Sequence, residues 1–357
     1  MATKKRKDKG PDKADREKAP EVQTDQPKNG ESAEGDGAIA GEGRVETAPM
    51  PIVAIGSSAG GLEALQEFFS NIPSDTGMAF VVVTHVRPGR ESMLPELLGT
   101  VTRMEVIQTA DSTQIEPNKI IVVRDSLLSV SKGVLRPVKS DDKPEVTYHP
   151  IDHFFRSLAD DQREHAIGII LSGSGNDGSL GLKAIKAVGG MVMVQSPESA
   201  KYASMPESAI ATHLVDYSLP VNALPKTLIE YCRGPYLQLV RRVKEPSLPE
   251  NTIQAILVRL RAHSGQDFTC YKKSTMSRRI QRRMNIHHIE DPQAYLNFLR
   301  ENPHEVDALM EELLISVTSF FRDPASWKAL AEEALPRLIE ERPDGQVLRV
   351  WVPGCAT

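Results

Sequence analysis

Apolar residues fall in short unbroken runs over the first half of the chain and at helical spacing over the second. "PIVAI" (51–55), "MAFVVVTHV" (78–86), "NKIIVVR" (118–124), "HAIGIIL" (165–171) and "GMVMV" (190–194) carry apolar residues at both odd and even positions. Strands buried on both faces, as in the middle of a parallel sheet, read this way. After the first run, Leu62, Leu65, Phe68, Phe69 and Ile72 recur at helical intervals until Pro73. One helix face therefore packs back on the sheet as a βα unit. "SLLSVSKGVLRPV" predicts a hairpin turning at Lys132 and Gly133. From Pro51 to about Val221 the alternation predicts an α/β fold, three-layer and doubly wound around a mostly parallel sheet.

Beyond residue 234 the texture changes. Residues 235–249, with Pro235, Pro246 and Pro249, read as a linker. "NTIQAILVRLRAHSG", "STMSRRIQRRMNIHHI", "DPQAYLNFLREN", "PHEVDALMEELLI" and "DPASWKALAEEALPRLIEER" then predict a small all-α domain over 250–343. Asp291 and Asp323, each before a proline, mark helix starts. A last apolar run, "VLRVWV", predicts one more strand, an exposed edge or poorly ordered for want of neighbours. Residues 1–48 are charged and rich in Gly and Pro, and the first aromatic residue of the chain is Phe68. Such a segment buries too little to order itself and is expected to be a disordered tail. Its cluster Lys4, Lys5, Arg6, Lys7 and Lys9 reads as a solvated arm rather than a contact with nucleic acid or acidic lipid.

The 357 residues suffice for two domains. The net charge of -5, from 43 basic and 48 acidic residues, argues against chain-wide binding to nucleic acid or an anionic membrane. Cys232, Cys270 and Cys355 lack the spacing of a disulfide framework or a zinc site, as expected for a reducing cytoplasm. No uncharged apolar run reaches the length of a membrane span, so no membrane insertion is expected.

Gly56, Ser57, Ser58, Ala59 and Gly60 fit G-x-S-x-G, the spacing of a sharp strand-to-helix turn that projects its central serine between small neighbours. Ser58 is thereby the candidate nucleophile. Phosphate-binding loops fit less well, because no P-loop lysine follows and the glycines miss the dinucleotide spacing. Glycines in a tight βα turn can also be purely structural. His85 closes "AFVVVT", and Asp177 lies in "LSGSGNDG" directly after "AIGIIL". Ligands of open α/β sheets bind outside the carboxyl ends of the strands, so Ser58, His85 and Asp177 can converge as nucleophile, base and orienting acid. A rim histidine and a turn-forming aspartate are the plain alternatives. The chemistry so read is acyl transfer, with backbone N–H groups at the start of the following helix stabilising the oxyanion. The order Ser, His, Asp differs from that of α/β-hydrolases.

"IGSSAGG", "VVVTHVRPG", "ILSGSGNDGSLGLKAIKAVGG" and "YASMPESAI" together resemble the catalytic domain of chemotaxis protein-glutamate methylesterases of the CheB type, over about residues 51–232 within an expected domain of 50–234. The resemblance implies that Ser58, His85 and Asp177 form a triad hydrolysing glutamate methyl esters on chemoreceptor helices, without a cofactor, and that glutamine deamidation can accompany it. It places Ala59, Gly60, Ser174 and Gly175 around the oxyanion. Ala59 stands where many members have Thr, and Ser174 where a Met is frequent. The tail is not the receiver domain of the stand-alone enzymes, so control by phosphorylation there is not expected. A histidine kinase of the same pathway is a second partner that the resemblance allows.

"YKKSTMSRRIQRRM", "VTSFFRD" and "VWVPGCAT" resemble the helical domain and first strand of chemoreceptor glutamate methyltransferases of the CheR type, over about residues 250–357. This resemblance implies that Thr318 and Arg322 lie at a methyl-transfer site and that Gly354 opens an S-adenosylmethionine site, left incomplete over 344–357, so that methyl transfer is not expected. Lys272, Lys273, Arg278, Arg279, Arg282 and Arg283 make a basic helix that suits an acidic partner helix, a solvated face or RNA. His287 and His288 are adjacent and do not suggest a metal pair. A catalytically inactive docking module and a nucleotide-binding domain remain the rival readings.

Overall fold

The computed structural model describes residues 50–84, 93–109, 112–123, 127–138, 149–241, 248–314, 324–341, 347 and 349–352. From Thr47 onward the chain is one compact unit. Its first half runs β1 (Ile52–Ser57), α1 (Gly61–Ser70), β2 (Ala79–Thr84), α2 (Leu94–Gly99), β3 (Glu105–Gln108), β4 (Thr113–Gln114) and β5 (Lys119–Val122). A hairpin of β6 (Leu128–Ser131) and β7 (Val134–Pro137) follows, then α3 (Pro150–Gln162), β8 (Ala166–Ile170) and α4 (Ser179–Ala187). β9 (Met191–Gln195), α5 (Ser204–Ile210), β10 (Tyr217–Leu219) and α6 (Leu224–Arg233) complete it.

The main sheet has the order β10-β9-β8-β1-β2-β5-β3 with every pairing parallel, and β4, β7 and β6 form a separate antiparallel sheet. All six residues of β1 are buried, which is why its sequence is apolar without alternation. One face of the sheet packs against α1, α2 and α6, the other against α3, α4, α5 and the hairpin. Phe68 and Phe69 of α1 meet Phe80 of β2 edge to face, with ring centroids 6.3 and 5.6 Å away. Each fully buried ring of this kind contributes roughly 1.5–3 kcal/mol. The hairpin turns where expected: Lys132 and Gly133 both have positive φ, 53° and 71°, the conformation that two-residue hairpin loops demand.

α7 (Pro235–Arg241), α8 (Glu250–Ser264), α9 (Lys273–Ile286), α10 (Pro292–Glu301) and α11 (Pro303–Leu314) form the second half. α12 (Pro324–Ala329) leads through a π turn into α13 (Leu335–Glu340). Ile256, Leu260, Ile280, Tyr295, Leu299 and Leu309 make a core of their own. Asp291 caps α10, its side chain accepting from the Ala294 N–H at 2.7 Å. Residues 235–241, read as linker, are helical instead. Pro235 starts that helix and Tyr236 and Leu237 bury against the α/β core, so apolar content outweighed the proline signal. In "VLRVWV" the described residues are in no strand, and Val347, Val350 and Trp351 are exposed. Among the described residues no helix is long and apolar enough to cross a membrane.

Much of the charge of the basic helix α9 is not on a solvated face but buried against the α/β half. Arg282 is fully buried. Its guanidinium donates to Gly189 O at 3.0 Å, Gly190 O at 2.5 Å, both oxygens of Asp216 and Glu312 Oε2 at 2.8 Å. Arg279 donates to Ala187 O at 3.0 Å and Glu312 Oε1 at 3.1 Å. Lys186 pairs with Asp216 and with Glu312. Three cations thus share two carboxylates, and carbonyls after α4, a helix end that favours positive charge, take the surplus. A second group joins Arg283 and His287 to Glu305, which also accepts from the Tyr295 hydroxyl at 2.7 Å. Lys272 and Lys273 remain exposed, and Arg278 pairs with Glu164 at 2.7 Å.

Removing one member of a buried ion group leaves the others unpaired, at a cost of about 3–5 kcal/mol. Arg282→Ala is therefore expected to lower the stability of the full chain by that order in urea unfolding. Arg282→Lys should recover only part of it, since an ammonium lacks the planar fork. The exposed Lys273→Ala should leave the midpoint in place, and an Arg282→Ala chain that unfolds with it would refute the assignment.

Glu305 adds a pH dependence. Burial pushes its carboxyl up, but the His287 hydrogen bond and the Arg283 fork outweigh this and hold it at about 2 instead of 4.5. Asp216 and Glu312 are also held low: burial raises them and the charges of Arg282 and Lys186 overcome it. A carboxyl depressed by folding stabilises fully above its unfolded value and loses that contribution as pH falls through its folded value. The unfolding midpoint should therefore fall steeply as pH drops from about 4.5 to about 2. A Glu305→Gln chain should show a flatter decline, and identical curves would exclude Glu305 as a contributor.

Candidate active site at the carboxyl ends of the central strands

Chain direction across the sheet reverses between β1 and β8, since β2, β5 and β3 lie on one side of β1 and β8, β9 and β10 on the other. A crevice at the carboxyl ends is expected at such a switch point. Ser57 ends β1 opposite Thr84 in the ladder, and Gly56 is opposite Ile170. Residues following three adjacent strand ends are therefore Ser58, position 85 and the segment from Leu171. His85 itself lies outside the described residues, as do Thr318, Arg322 and Gly354.

The two serines of the turn differ in environment. Ser57 is completely buried, and its hydroxyl has no partner among the described residues. Ser58 is half-buried, beyond the strand end. Its N–H donates to Ser172 O at 3.1 Å, and its carbonyl accepts from Gly61 N–H at 2.9 Å, closing the turn. Gly60 has φ +70°, with Ser172, Tyr202 and Lys201 where a side chain would go, and a Cβ on Gly61 would come within 2.6 Å of Ser57 Oγ. Both glycines are thus required by the bend of the chain and the close approach of α1 to β1.

Ser172, buried just after β8, organises the surroundings. Its hydroxyl donates to Ala59 O at 3.0 Å and accepts from Tyr202 N–H at 3.0 Å. Its own N–H donates to the buried Gln195 Oε1 at 2.8 Å. Sequence reading missed Ser172, Gln195 and Tyr202, although all three lie at or beyond the carboxyl ends of β8 and β9, where such groups should have been sought. The N–H groups of Gly61, Gly173 and Gly175 are committed, to Ser58 O, Tyr202 O and Ser204 Oγ. Among the described residues those of Ala59, Gly60 and Ser174 donate to nothing. Gly175, expected around the oxyanion, is thus a braced loop residue, while Ala59, Gly60 and Ser174 keep donors available.

Asp177 is buried, and its carboxylate sits on the N-terminus of α3. It accepts from Ile151 N–H at 3.1 Å and Asp152 N–H at 2.9 Å, two donors a helix start leaves unsatisfied. Asp152 returns the favour, accepting from Gly181 N–H in the first turn of α4 at 2.6 Å. The two carboxylates therefore cap each other's helices. Burial raises the Asp152 carboxyl; the Gly181 N–H opposes this and the Asp177 charge adds to it. His149, Asp152 and Asp177 bring potential metal ligands within 4.8 Å of one another, but both carboxylates are already spent on helix caps. A cleft of about 1000 Å³, lined by Met50, Ile52, Met78 and Cys232, opens at the opposite, amino-end edge of the sheet and contains none of these strand-end groups.

The family described as CheB methylesterase matches residues 53–228, and the family described as CheR methyltransferase, all-alpha domain, matches residues 251–314. A 104.1 kDa protein of the hypE 3' region of Rhodobacter capsulatus is 31% identical over 285 residues, 74% of this chain and 30% of that protein. Protein-glutamate methylesterase/protein-glutamine glutaminase 2 of Burkholderia lata is 33% identical over 52% of this chain and 55% of its own length. The corresponding protein 3 of Geobacter sulfurreducens is 31% identical over 52% and 53%. The chain thus spans about half the length of these methylesterases and less than a third of the Rhodobacter protein. The crystal structure of the Thermotoga maritima CheB methylesterase catalytic domain is 28% identical, covering 51% of this chain and 98% of that one with a TM-score of 0.47. The chain accordingly matches the CheB methylesterase family over residues 53–228 and the CheR methyltransferase all-alpha domain over residues 251–314.

Proposed function

We propose that the α/β half is a serine hydrolase that releases methanol from glutamate γ-methyl esters on chemoreceptors. The observation that carries this reading is Ser58, on a pinned turn at the switch point, with Asp177 anchored beyond the neighbouring strand. Ser58 Oγ attacks the ester carbonyl while His85 takes its proton. The N–H groups of Ala59, Gly60 and Ser174 are the donors free to meet the developing oxyanion. The bond to the methoxy oxygen then breaks, and His85 returns the proton to give methanol. Water, activated by the same imidazole, hydrolyses the acyl-enzyme to glutamate and frees Ser58. Asp177, held by two helix N–H groups, orients the imidazole. The steps need only water and the chain's own groups. A glutamine amide would react in the same way with ammonia as leaving group, matching the second activity in the names of the Burkholderia and Geobacter relatives.

Loss of a triad nucleophile costs on the order of 10⁴ to 10⁶ in rate. Methanol release from methylated receptor membranes should fall by that order in Ser58→Ala, and equal rates from both chains would remove the serine-hydrolase reading. Ser172 acts through the turn it ties together. Ser172→Ala should lower kcat by about 10 to 100-fold, the scale of a slight misplacement, with KM changing less. Ser172→Thr, which keeps the hydroxyl, should restore it, and an unchanged kcat in the alanine chain would show that the tie is not needed.

A further inference from the structure

Three large apolar side chains are exposed in the described part of the α/β half: Met93 at 68%, Leu180 at 58% and Tyr202 at 45%. Single exposed apolar residues are ordinary. These three share one edge: Met93 opens the helix that follows β2, Leu180 lies in the first turn of the helix after β8, and Tyr202 follows β9. That edge carries Ser58.

Tyr202 stands nearest the chemistry. A Cβ on Gly60 would lie 2.9 Å from its ring, so the ring flanks the turn two residues beyond Ser58. Its backbone is fixed on both sides: the N–H donates to Ser172 Oγ at 3.0 Å, and the carbonyl accepts from Gly173 N–H at 3.0 Å. The adjacent Lys201 pairs with Glu63 of α1 at 2.7 Å. The hydroxyl of Tyr202 bonds to no described residue, so neither burial nor a polar tie accounts for the ring's position. An aromatic ring on an immobilised backbone offers large contact area at little entropic cost.

We propose that Tyr202, with Leu180 and Met93 exposed along the same carboxyl-end edge, sets specificity there by gripping the apolar face of an amphipathic helix that carries the ester. The proposal rests on the reading of Ser58 as the nucleophile toward receptor methyl esters and adds which part of the carrier is read. A helix presents apolar groups on either side of a reacting side chain at i, i+3, i+4 and i+7. An extended peptide would instead add to a lateral sheet edge. Those edges are β3 and β10, each three strands from β1.

The test is binding, separated from turnover by the Ser58→Ala chain. A fluorescently labelled amphipathic helical peptide with one glutamate γ-methyl ester is titrated by anisotropy, alongside a peptide whose apolar face is replaced by serine. Tyr202→Ala in the Ser58→Ala background should weaken binding of the first peptide about tenfold or more, and Tyr202→Phe by less than about threefold, since the ring and not the hydroxyl makes the contact. Leu180→Ser should weaken it further. The serine-faced peptide should bind weakly and equally to all variants. Unchanged affinity in Tyr202→Ala, or the same loss with both peptides, overturns the proposal. A wild-type chain that binds through Tyr202 yet releases no methanol would refute the esterase reading and leave the grip standing.

Discussion

A guanidinium held away from water between two carboxylates and two carbonyls decides how the halves of this chain meet. Arg282 has no exposed surface, and neither do the side chains of Asp216 and, within a percent, Glu312. Desolvating such charges costs several kcal/mol per ion unless every partner is supplied. They are supplied from both halves at once: Asp216 and Lys186 from the α/β half, Glu312 and Arg279 from the helices. Neither half satisfies the group alone, which makes their relative placement specific in a way that an apolar contact would not be. The Tyr217 hydroxyl donating to Ile286 O and Asn285 donating to Tyr231 O extend the same seam.

The same physics, satisfaction of helix ends, shapes the site. α4 begins two residues after Asp177 and ends at the carbonyls that receive Arg279. The Gly181 N–H in its first turn is met by Asp152, and α3 is met in turn by Asp177. A residue read as an orienting acid is therefore also a structural cap, and its position is set by two helix starts that would otherwise be unsatisfied. On the other side of the crevice a single buried hydroxyl, Ser172, couples the nucleophile turn to the loop bearing Tyr202. The reactive edge is thus built from backbone donors whose geometry leaves little slack.

Much of this was legible beforehand. The strands were, because central parallel strands must be apolar throughout and few other elements look like that. Ser58 was, because small residues at that spacing are what a projecting turn needs. Ser172, Gln195 and Tyr202 were not, since a serine, a glutamine and a tyrosine after strands carry no spacing signal. The arginines of α9 misled for a clearer reason. Charges at positions 279, 282 and 283 form one face of a helix whether that face meets water, a partner or another part of the same chain. The pattern is identical in all three cases.

The sequence by itself determined the central strands and most of the helices, the parallel sheet, the strand-end location of Ser58 and Asp177, and the division into an α/β and a helical half. These follow from periodicities and turn chemistry that act over a few residues. They did not determine the helix at 235–241 or the absence of a strand at 349–352. Only the tertiary structure decided that the basic face of α9 is buried, that Asp177 caps α3 and that Tyr202 stands over the nucleophile turn. Those contacts join residues 66 positions apart for Arg282 and Asp216, 25 for Asp177 and Asp152, and 30 for Ser172 and Tyr202. Partners at such distances are chosen by strand order and helix packing, and the cost of leaving a buried charge or N–H unpaired selects among the arrangements that topology allows.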